Sequence, residues 1–329
     1  MVYVPGGTVP TPEGSVVSVD RAGRSETLPI APRAFATLRL SPDDEQIALG
    51  SFGRDREIWV YARARGTLTR LSEPGRHGVP IWSPDGERLT YASGNGGPDA
   101  LRQTRADARS PSELVIADNE HSLVPAAWTP DGRRLFYYTI PTVEAAPAAL
   151  WVWDADLATN STKTPTMSAG LSRDDGGIDV SPDGRWIAYH ASDSGRPEVY
   201  VQAYPGSGPR YQVSSDGGIS PIWRRDGREL FYLRPSSLGD STNSAVLSVG
   251  NIRVMAVPVT PKPALALSAP RLLFEGPYDV NVPARSYDVT ADGQRFLLLE
   301  AQKRPPDVIT HLMVVQNWNE ELKVRVPRP

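Results

Sequence analysis

Histidine and carboxylate side chains are the groups in this sequence that could hold a metal ion, because cysteine is absent. Two of the four histidines, His77 and His121, precede short apolar segments that end in tryptophan. Asp175 and Asp216 precede two similar segments at matching distances, with His77 and Asp175 five residues before the last residue and His121 and Asp216 seven before it. Two imidazoles and two carboxylates suit Zn²⁺, or Ca²⁺ where carbonyl groups and waters add ligands. The set predicts a divalent metal site if the fold brings the four segments together.

A repeated turn follows these segments. The tetrapeptide Ser-Pro-Asp-Gly or a variant of it occurs six times, always with Asp at the third position. Pro sets the backbone of the first corner of a turn, Asp bonds to nearby backbone groups, and Gly takes the positive φ that closes a hairpin. The copies begin at Ser41, Ser83, Thr129, Ser181, Arg224 and Thr290. Each copy predicts a hairpin between two strands.

Alternating apolar segments around each turn predict four-stranded units. In the second unit, Val79–Trp82 precedes the turn and Arg88–Ser93 follows it, and further strand-like segments come after them. Six units of this kind are typical of a β-propeller, so the sequence predicts an all-β, six-bladed propeller. It would be one domain over residues 1–329, closed between N- and C-terminal strands. In the alternative, the N-terminal segments Ser15–Val19 and Glu26–Pro29 form a seventh blade.

A propeller would bring the four candidate ligands to one place. The first strand of each blade begins at one mouth of the central channel, so residues just before these strands converge there. They are either metal ligands at that rim or solvated loop residues, because Asp and His are common in loops.

Asp179 and Asp193 of the fourth blade are candidate catalytic carboxylates. Arg39 and Asp288 would become neighbours on ring closure and are expected to form an ion pair.

Charge and composition limit the partners of the chain. It carries 35 Lys and Arg against 38 Asp and Glu, a net charge of -3, which gives no basic surface for a nucleic acid. No apolar stretch approaches the ~20 residues of a membrane-spanning helix, and no signal peptide is recognisable. A soluble monomer is therefore expected, and the absence of cysteine leaves its compartment open.

The Ser-Pro-Asp-Gly turns and the aliphatic strands after them resemble the TolB-like, WD-repeat-like propeller repeats of bacteria. The segments from Gly195 to Tyr232 and from Asn317 to Lys323 are similar to the propeller appended to bacterial receptor-like Ser/Thr kinases. This resemblance implies an extracytoplasmic domain for sensing or interaction. The chain has no His-Arg-Asp catalytic loop, no Asp-Phe-Gly motif and no Gly-rich nucleotide loop, so it is not itself a kinase.

Two functions follow from these features. One is a metal-dependent hydrolase of esters, lactones or phosphotriesters, in which Zn²⁺ or Ca²⁺ at the channel mouth activates a water molecule. Regucalcin-like, paraoxonase-like and diisopropylfluorophosphatase-like enzymes use six-bladed propellers in this way, which is an analogy of fold. The alternative is a non-catalytic domain that binds a small molecule, a peptide, a glycan or a partner protein at the channel mouth, as the kinase-linked resemblance implies.

Overall fold

The computed structural model describes residues 2–3, 13–52, 56–73, 75–94, 99–141, 149–155, 164–167, 176–206, 208–236, 246–247, 251–261, 264–281, 284–301 and 313–314. These residues are organised into β-strands. None of them belongs to a helix long and apolar enough to cross a membrane. The all-β class predicted from the sequence is confirmed.

The strands alternate along the chain with short turns and loops. In chain order they are β1 (Val2–Tyr3), β2 (Gly14–Asp20), β3 (Ser25–Thr27), β4 (Phe35–Leu40), β5 (Gln46–Ser51), β6 (Ile58–Ala62), β7 (Thr67–Arg70), β8 (His77–Trp82), β9 (Arg88–Ser93), β10 (Asp99–Arg105), β11 (Glu113–Asp118), β12 (His121–Trp128), β13 (Arg134–Pro141), β14 (Ala149–Asp154), β15 (Thr164–Met167), β16 (Gly176–Val180), β17 (Trp186–Ala191), β18 (Glu198–Ala203), β19 (Arg210–Gln212), β20 (Ile219–Trp223), β21 (Glu229–Pro235), β22 (Val246–Leu247), β23 (Ile252–Thr260), β24 (Ala266–Leu267), β25 (Arg271–Gly276), β26 (Val280–Asn281), β27 (Tyr287–Val289), β28 (Arg295–Ala301) and β29 (Met313–Val314).

Antiparallel pairing groups these strands into six blades. Blades 1 to 4 are β4–β7, β8–β11, β12–β15 and β16–β19. Blade 5 contains β20, β21 and β23, with both β24 and β25 paired to β23. Blade 6 has the order β27, β28, β2, β3. The predicted number of blades is confirmed, and radial repetition leaves them only short edges.

Blade 6 is assembled from distant parts of the sequence. β2 pairs with β28 over their full length, from Gly14 opposite Ala301 to Asp20 opposite Arg295. The N-terminal strands therefore complete the sixth blade, and the seven-bladed alternative is excluded. Outside the blades, β1 pairs with β29 and β22 pairs with β26.

The repeated turns are small hydrogen-bonded units. In blade 2 the hydroxyl of Ser83 donates to Asp85 Oδ1 over 2.5 Å, and the Glu87 N–H donates to the same oxygen over 2.9 Å. The Arg88 N–H in turn donates to Ser83 Oγ, and Gly86 adopts φ 74°. One carboxylate oxygen thus accepts two bonds, which explains why Asp occupies the third position in every copy. The same pair of Ser or Thr hydroxyl and Asp carboxylate recurs in blades 1, 3, 4 and 6.

Apolar side chains pack between neighbouring blades. Between blades 5 and 6, Phe231 and Phe296 meet edge to face with ring centroids 5.1 Å apart, and Phe274 packs on Phe296 at 5.3 Å. Val17 and Val19 of β2 are buried in the same cluster. Burial of each such side chain stabilises the fold by about 1.5–3 kcal/mol. Strand β2, near the N-terminus, is therefore part of the core.

The first strands of blades 1 to 5 each contain a β-bulge. The register between β8 and β9 shifts between Gly78 and Ile81, and equivalent shifts occur in β4, β12, β16 and β20. Val79 and Ser220 adopt φ 53° and 50° there, values that side chains other than glycine rarely take. A bulge frees backbone groups from the strand ladder. The innermost strands therefore offer carbonyl groups to other partners near the axis.

Candidate functional site

The two histidines predicted as metal ligands lie in separate surroundings. His77 is buried at the start of β8, with its ring edge to face against Tyr91 at 5.5 Å, and burial lowers its pKa. His121, at the start of β12, has Nδ1 3.2 Å from Asp118 Oδ1. The same carboxylate oxygen accepts the His121 N–H.

Asp216, the third described candidate ligand, is exposed and contacts the guanidinium groups of Arg196 and Arg234. Asp175 lies outside the described residues. Within the part of the chain that the structure describes, no group of three or more His, Asp or Glu side chains is placed to hold a metal ion. The four-ligand site and its divalent ion therefore stay predictions.

Both carboxylates predicted to be catalytic are engaged by other groups. Asp179 Oδ1 lies 3.2 Å from Arg285 Nη2, and Asp179 Oδ2 accepts the Trp223 N–H over 2.7 Å. Burial raises the pKa of Asp179, against the effect of Arg285. Asp193 forms an ion pair with Arg210, whose guanidinium lies 3.4 Å from the Tyr200 ring centroid. Each carboxylate thus has an arginine partner within the protein.

A cavity of about 360 Å³ opens on the axis at the mouth where the repeated turns lie. We call it the axial cavity. Four turn prolines and three tryptophans line it together with small apolar side chains of the first strands. These prolines and tryptophans are Pro42, Pro84, Pro130, Pro182, Trp82, Trp128 and Trp223. The rim expected from the sequence is at the opposite mouth, where the first strands begin.

The turns around this mouth fit against one another. A Cβ on Gly86 would lie 3.4 Å from the Pro42 ring of the preceding blade, and one on Gly132 would lie 4.0 Å from Pro84. The indole Nε1 of Trp82 donates to the carbonyl of Arg39 in blade 1 over 3.1 Å. Because each turn contacts the turn of the blade before it, the walls of the axial cavity are preformed.

Charged side chains form the floor of the axial cavity. The Arg285 Nη2 donates to two bulge carbonyls, Ile178 O over 3.2 Å and Pro221 O over 3.3 Å, besides contacting Asp179. Asp288 accepts the N–H groups of Leu40 and Val289. Each of these residues therefore joins neighbouring strands around the ring.

Arg39 is buried beside them, and its Nη1 donates to the carbonyls of Leu38 and Arg285, each over 3.2 Å. Burial, reinforced by the charge of Arg285, lowers the pKa of Arg39 to about 9. The expected ion pair between Arg39 and Asp288 is wrong, because both carboxylate oxygens of Asp288 accept backbone N–H groups instead.

Sequence reasoning missed Arg285. It precedes β27, a strand of three residues, so the alternation that identifies lining positions in other blades is too short there. The bulges that supply its carbonyl partners can be recognised in the sequence by proline. Pro80, Pro125 and Pro221 lie inside first strands, and proline in a sheet is confined to edges and bulges.

No known family model matches the chain. Solved structures resemble it in fold. A TolB-like protein from Agrobacterium tumefaciens has a TM-score of 0.68 at 17% identity, with 90% of this chain and 99% of that chain covered. TolB from Acinetobacter baumannii has a TM-score of 0.55 at 16% identity, with 90% and 65% covered.

An oligogalacturonate lyase in complex with manganese has a TM-score of 0.51 at 15% identity, with 86% of this chain and 76% of that chain covered. At these identities the likeness concerns the fold. The more specific likeness to kinase-linked propellers remains a prediction. The chain is a six-bladed β-propeller whose structural neighbours include TolB-like propellers.

Proposed function

We propose that this propeller is a non-catalytic recognition domain that binds a short segment of another protein in the axial cavity. The observation that carries the proposal is the preformed axial cavity, with proline and tryptophan walls above a polar floor. Its volume lies at the lower end of the ~300–1,000 Å³ typical of ligand sites, which are concave and mostly apolar with a few oriented polar groups. A cavity of this size takes a peptide end or a side chain rather than a folded domain.

The floor carboxylates support recognition, because the protein holds them in fixed positions. Both oxygens of Asp179 and both oxygens of Asp288 already accept hydrogen bonds or contact an arginine. Groups bound in this way orient neighbouring strands and give the cavity a defined shape, which is what a recognition site requires.

A peptide selection tests the proposal. Random twelve-residue peptides displayed on phage are selected on the wild-type protein, and the selected peptides are then titrated against variants. Ala127 lines the cavity, and A127F would fill it. We expect A127F to weaken binding at least tenfold, because the peptide loses the space that it occupies. The matched control is L272W, which enlarges an exposed side chain on β25, outside the cavity lining, and should leave affinity unchanged.

Two results would contradict the proposal. In the first, the selected peptides bind A127F as tightly as they bind the wild type. If thermal melting shows that A127F is unfolded, P182W replaces it in the titration, because Pro182 lies at an exposed position of the cavity rim. In the second, the wild type hydrolyses 4-nitrophenyl acetate or paraoxon with turnover that a chelator abolishes and Zn²⁺ restores. That second result would favour the metal-dependent hydrolase.

A further inference from the structure

We infer that the segment bound in the axial cavity presents a carboxylate group, and that Arg39 binds it. The inference rests on the proposed function and specifies the chemistry of its ligand. It follows from the guanidinium group of Arg39 at the floor, two of whose nitrogens have no acceptor among the described residues.

The acceptors of the floor are the carboxylates of Asp179 and Asp288. Asp179 uses one oxygen for Arg285 and the other for the Trp223 N–H. Asp288 accepts the Leu40 N–H with Oδ2 and the Val289 N–H with Oδ1. Each carboxylate oxygen is thus bonded once from within the ring, which fixes the positions of both carboxylates.

Several donors of the floor have no acceptor. Among the described residues, Arg39 makes hydrogen bonds through Nη1 alone, so its Nε and Nη2 have no acceptor. In the same part of the chain, Arg285 Nε and the indole Nε1 of Trp223 are buried without an acceptor. A buried donor without a partner costs about 1–3 kcal/mol. Since the Arg285 and Trp223 nitrogens are fully buried, the unused donors that a ligand with acceptor oxygens could reach are Arg39 Nε and Nη2.

Charge leads to the same ligand. Arg39 is 9% exposed and lines the cavity next to Arg285, which already has Asp179 as its counter-ion. Burial and the positive charge of Arg285 lower the pKa of Arg39, and the negative charges of Asp288 and Asp179 offset part of this effect. A further anion in contact with Arg39 would offset more of it. A carboxylate matches the planar guanidinium fork through two parallel hydrogen bonds.

The surroundings fit a carboxylate that belongs to a protein segment. Proline and tryptophan walls accept apolar side chains or backbone on either side of the charged group. The free carboxyl end of a chain and an acidic side chain are the two sources in a protein segment. The net charge of -3 means that the overall field of the molecule repels acidic peptides, so a preference for them has to arise locally.

Three pools of fluorescent random octapeptides test the inference on the wild-type protein. The first pool has neutral side chains and an amidated end, the second has neutral side chains and a free carboxyl end, and the third has acidic side chains and an amidated end. We expect the second or the third pool to bind about ten- to a hundredfold more tightly than the first, as a charged hydrogen-bonded pair requires. Whichever pool binds more tightly identifies the source of the carboxylate.

Variants at Arg39 complete the test. R39M should remove the preference for carboxylate pools, while R39K, which keeps the charge without the planar fork, should retain part of it. R253M is the matched control, because Arg253 lies on β23 outside the cavity lining and pairs with Glu275. It should behave as the wild type. The wild-type comparison of pools needs no variant, so the test holds even if R39M fails to fold.

The failure of this inference differs from the failure of the proposed function. If all three pools bind equally and A127F weakens each of them, the cavity is a binding site but the carboxylate assignment is wrong. If no pool shows binding that A127F weakens, the recognition function itself is wrong and the inference is overturned with it.

Discussion

Glu229 is a single carboxylate that holds three arginines. It accepts hydrogen bonds from Arg21 of blade 6 and from Arg224 and Arg271 of blade 5. Burial by itself would raise the pKa of Glu229, but the hydrogen bonds and charges of these arginines lower it to about 2. The carboxylate therefore links two blades in its ionised form.

We expect E229Q to destabilise the protein by about 2–4 kcal/mol at pH 7, because it removes the shared counter-ion of Arg21, Arg224 and Arg271 and leaves only Arg224 with another ion pair, to Asp226, among the described residues. The folded pKa lies below the ordinary value of 4.5, so this stabilisation is complete above pH 5 and is lost as the pH falls toward 2. Urea denaturation of both proteins at pH 7 and pH 3 measures it. The difference between them should be clearly smaller at pH 3.

The matched control is E275Q, which removes an exposed ion pair with Arg253. Exposed pairs contribute about 0–1 kcal/mol, so this variant should change little at either pH. Equal losses in E229Q and E275Q would mean that the three-arginine cluster does not stabilise the ring.

Sequence reasoning worked at the residue scale where the partners are close in the chain. The local bonds of Asp85 were predictable because its partners, Ser83 and Glu87, lie two residues away. The contact between Arg21 and Glu229 spans 208 residues. No spacing along the sequence indicates such a pair, since it depends on which blades become neighbours.

The bulges of the first strands are the element-scale feature with the clearest test. Gly177 lies in the bulge of β16 with φ 63°. A Cβ there would lie 2.8 Å from the Ser220 Cα and 2.9 Å from His190 Nδ1. β16 and β20 of adjacent blades thus approach so closely at this point that a side chain has no room.

We expect G177A to destabilise the protein by at least about 2 kcal/mol more than G195A. Gly195 also has a positive φ, 86°, but a Cβ there would meet nothing within 4 Å. G195A therefore measures backbone strain alone, about 1 kcal/mol. Urea denaturation of the two variants gives the difference. Similar losses would show that close approach of the two strands is not what requires glycine at 177.

The bulges also explain why a count of residues from the turn does not place the side chain of His77. Counting back from the turn assumes that side chains alternate strictly along a strand. A bulge inserts an extra residue and reverses the faces of every residue beyond it. His77 lies on the far side of the bulge from Trp82, so the count of five residues does not place its side chain in the channel.

Closure of the ring is a feature of the whole molecule. The sequence predicts closure between N- and C-terminal strands, and in the structure β2 and β3 complete the sixth blade beside β28. Closure was predictable because each blade needs a fixed number of strands, whereas the shape of the channel depends on bulges that break the pattern.

Removal of residues 1–29 should destabilise the whole ring. It exposes β28 and deletes Val16, Val17 and Val19, which are almost fully buried. Burial of three valines alone contributes about 5 kcal/mol. Circular dichroism and thermal melting should show a much lower or broadened transition. Removal of residues 1–12 is the control, because it deletes β1 and keeps β2. An unchanged cooperative transition without residues 1–29 would contradict closure.

The same closure determines the order of events during protein synthesis. β2 is made before blades 1 to 5, while its partner β28 is made about 280 residues later. At about 5–20 residues per second, roughly 14 to 56 seconds separate the two strands. During that time the apolar face of β2 has no blade to complete, and blades 1 to 5 can form only as an open arc. We therefore expect the apolar face of β2 to stay open to chaperones until the last blade is translated.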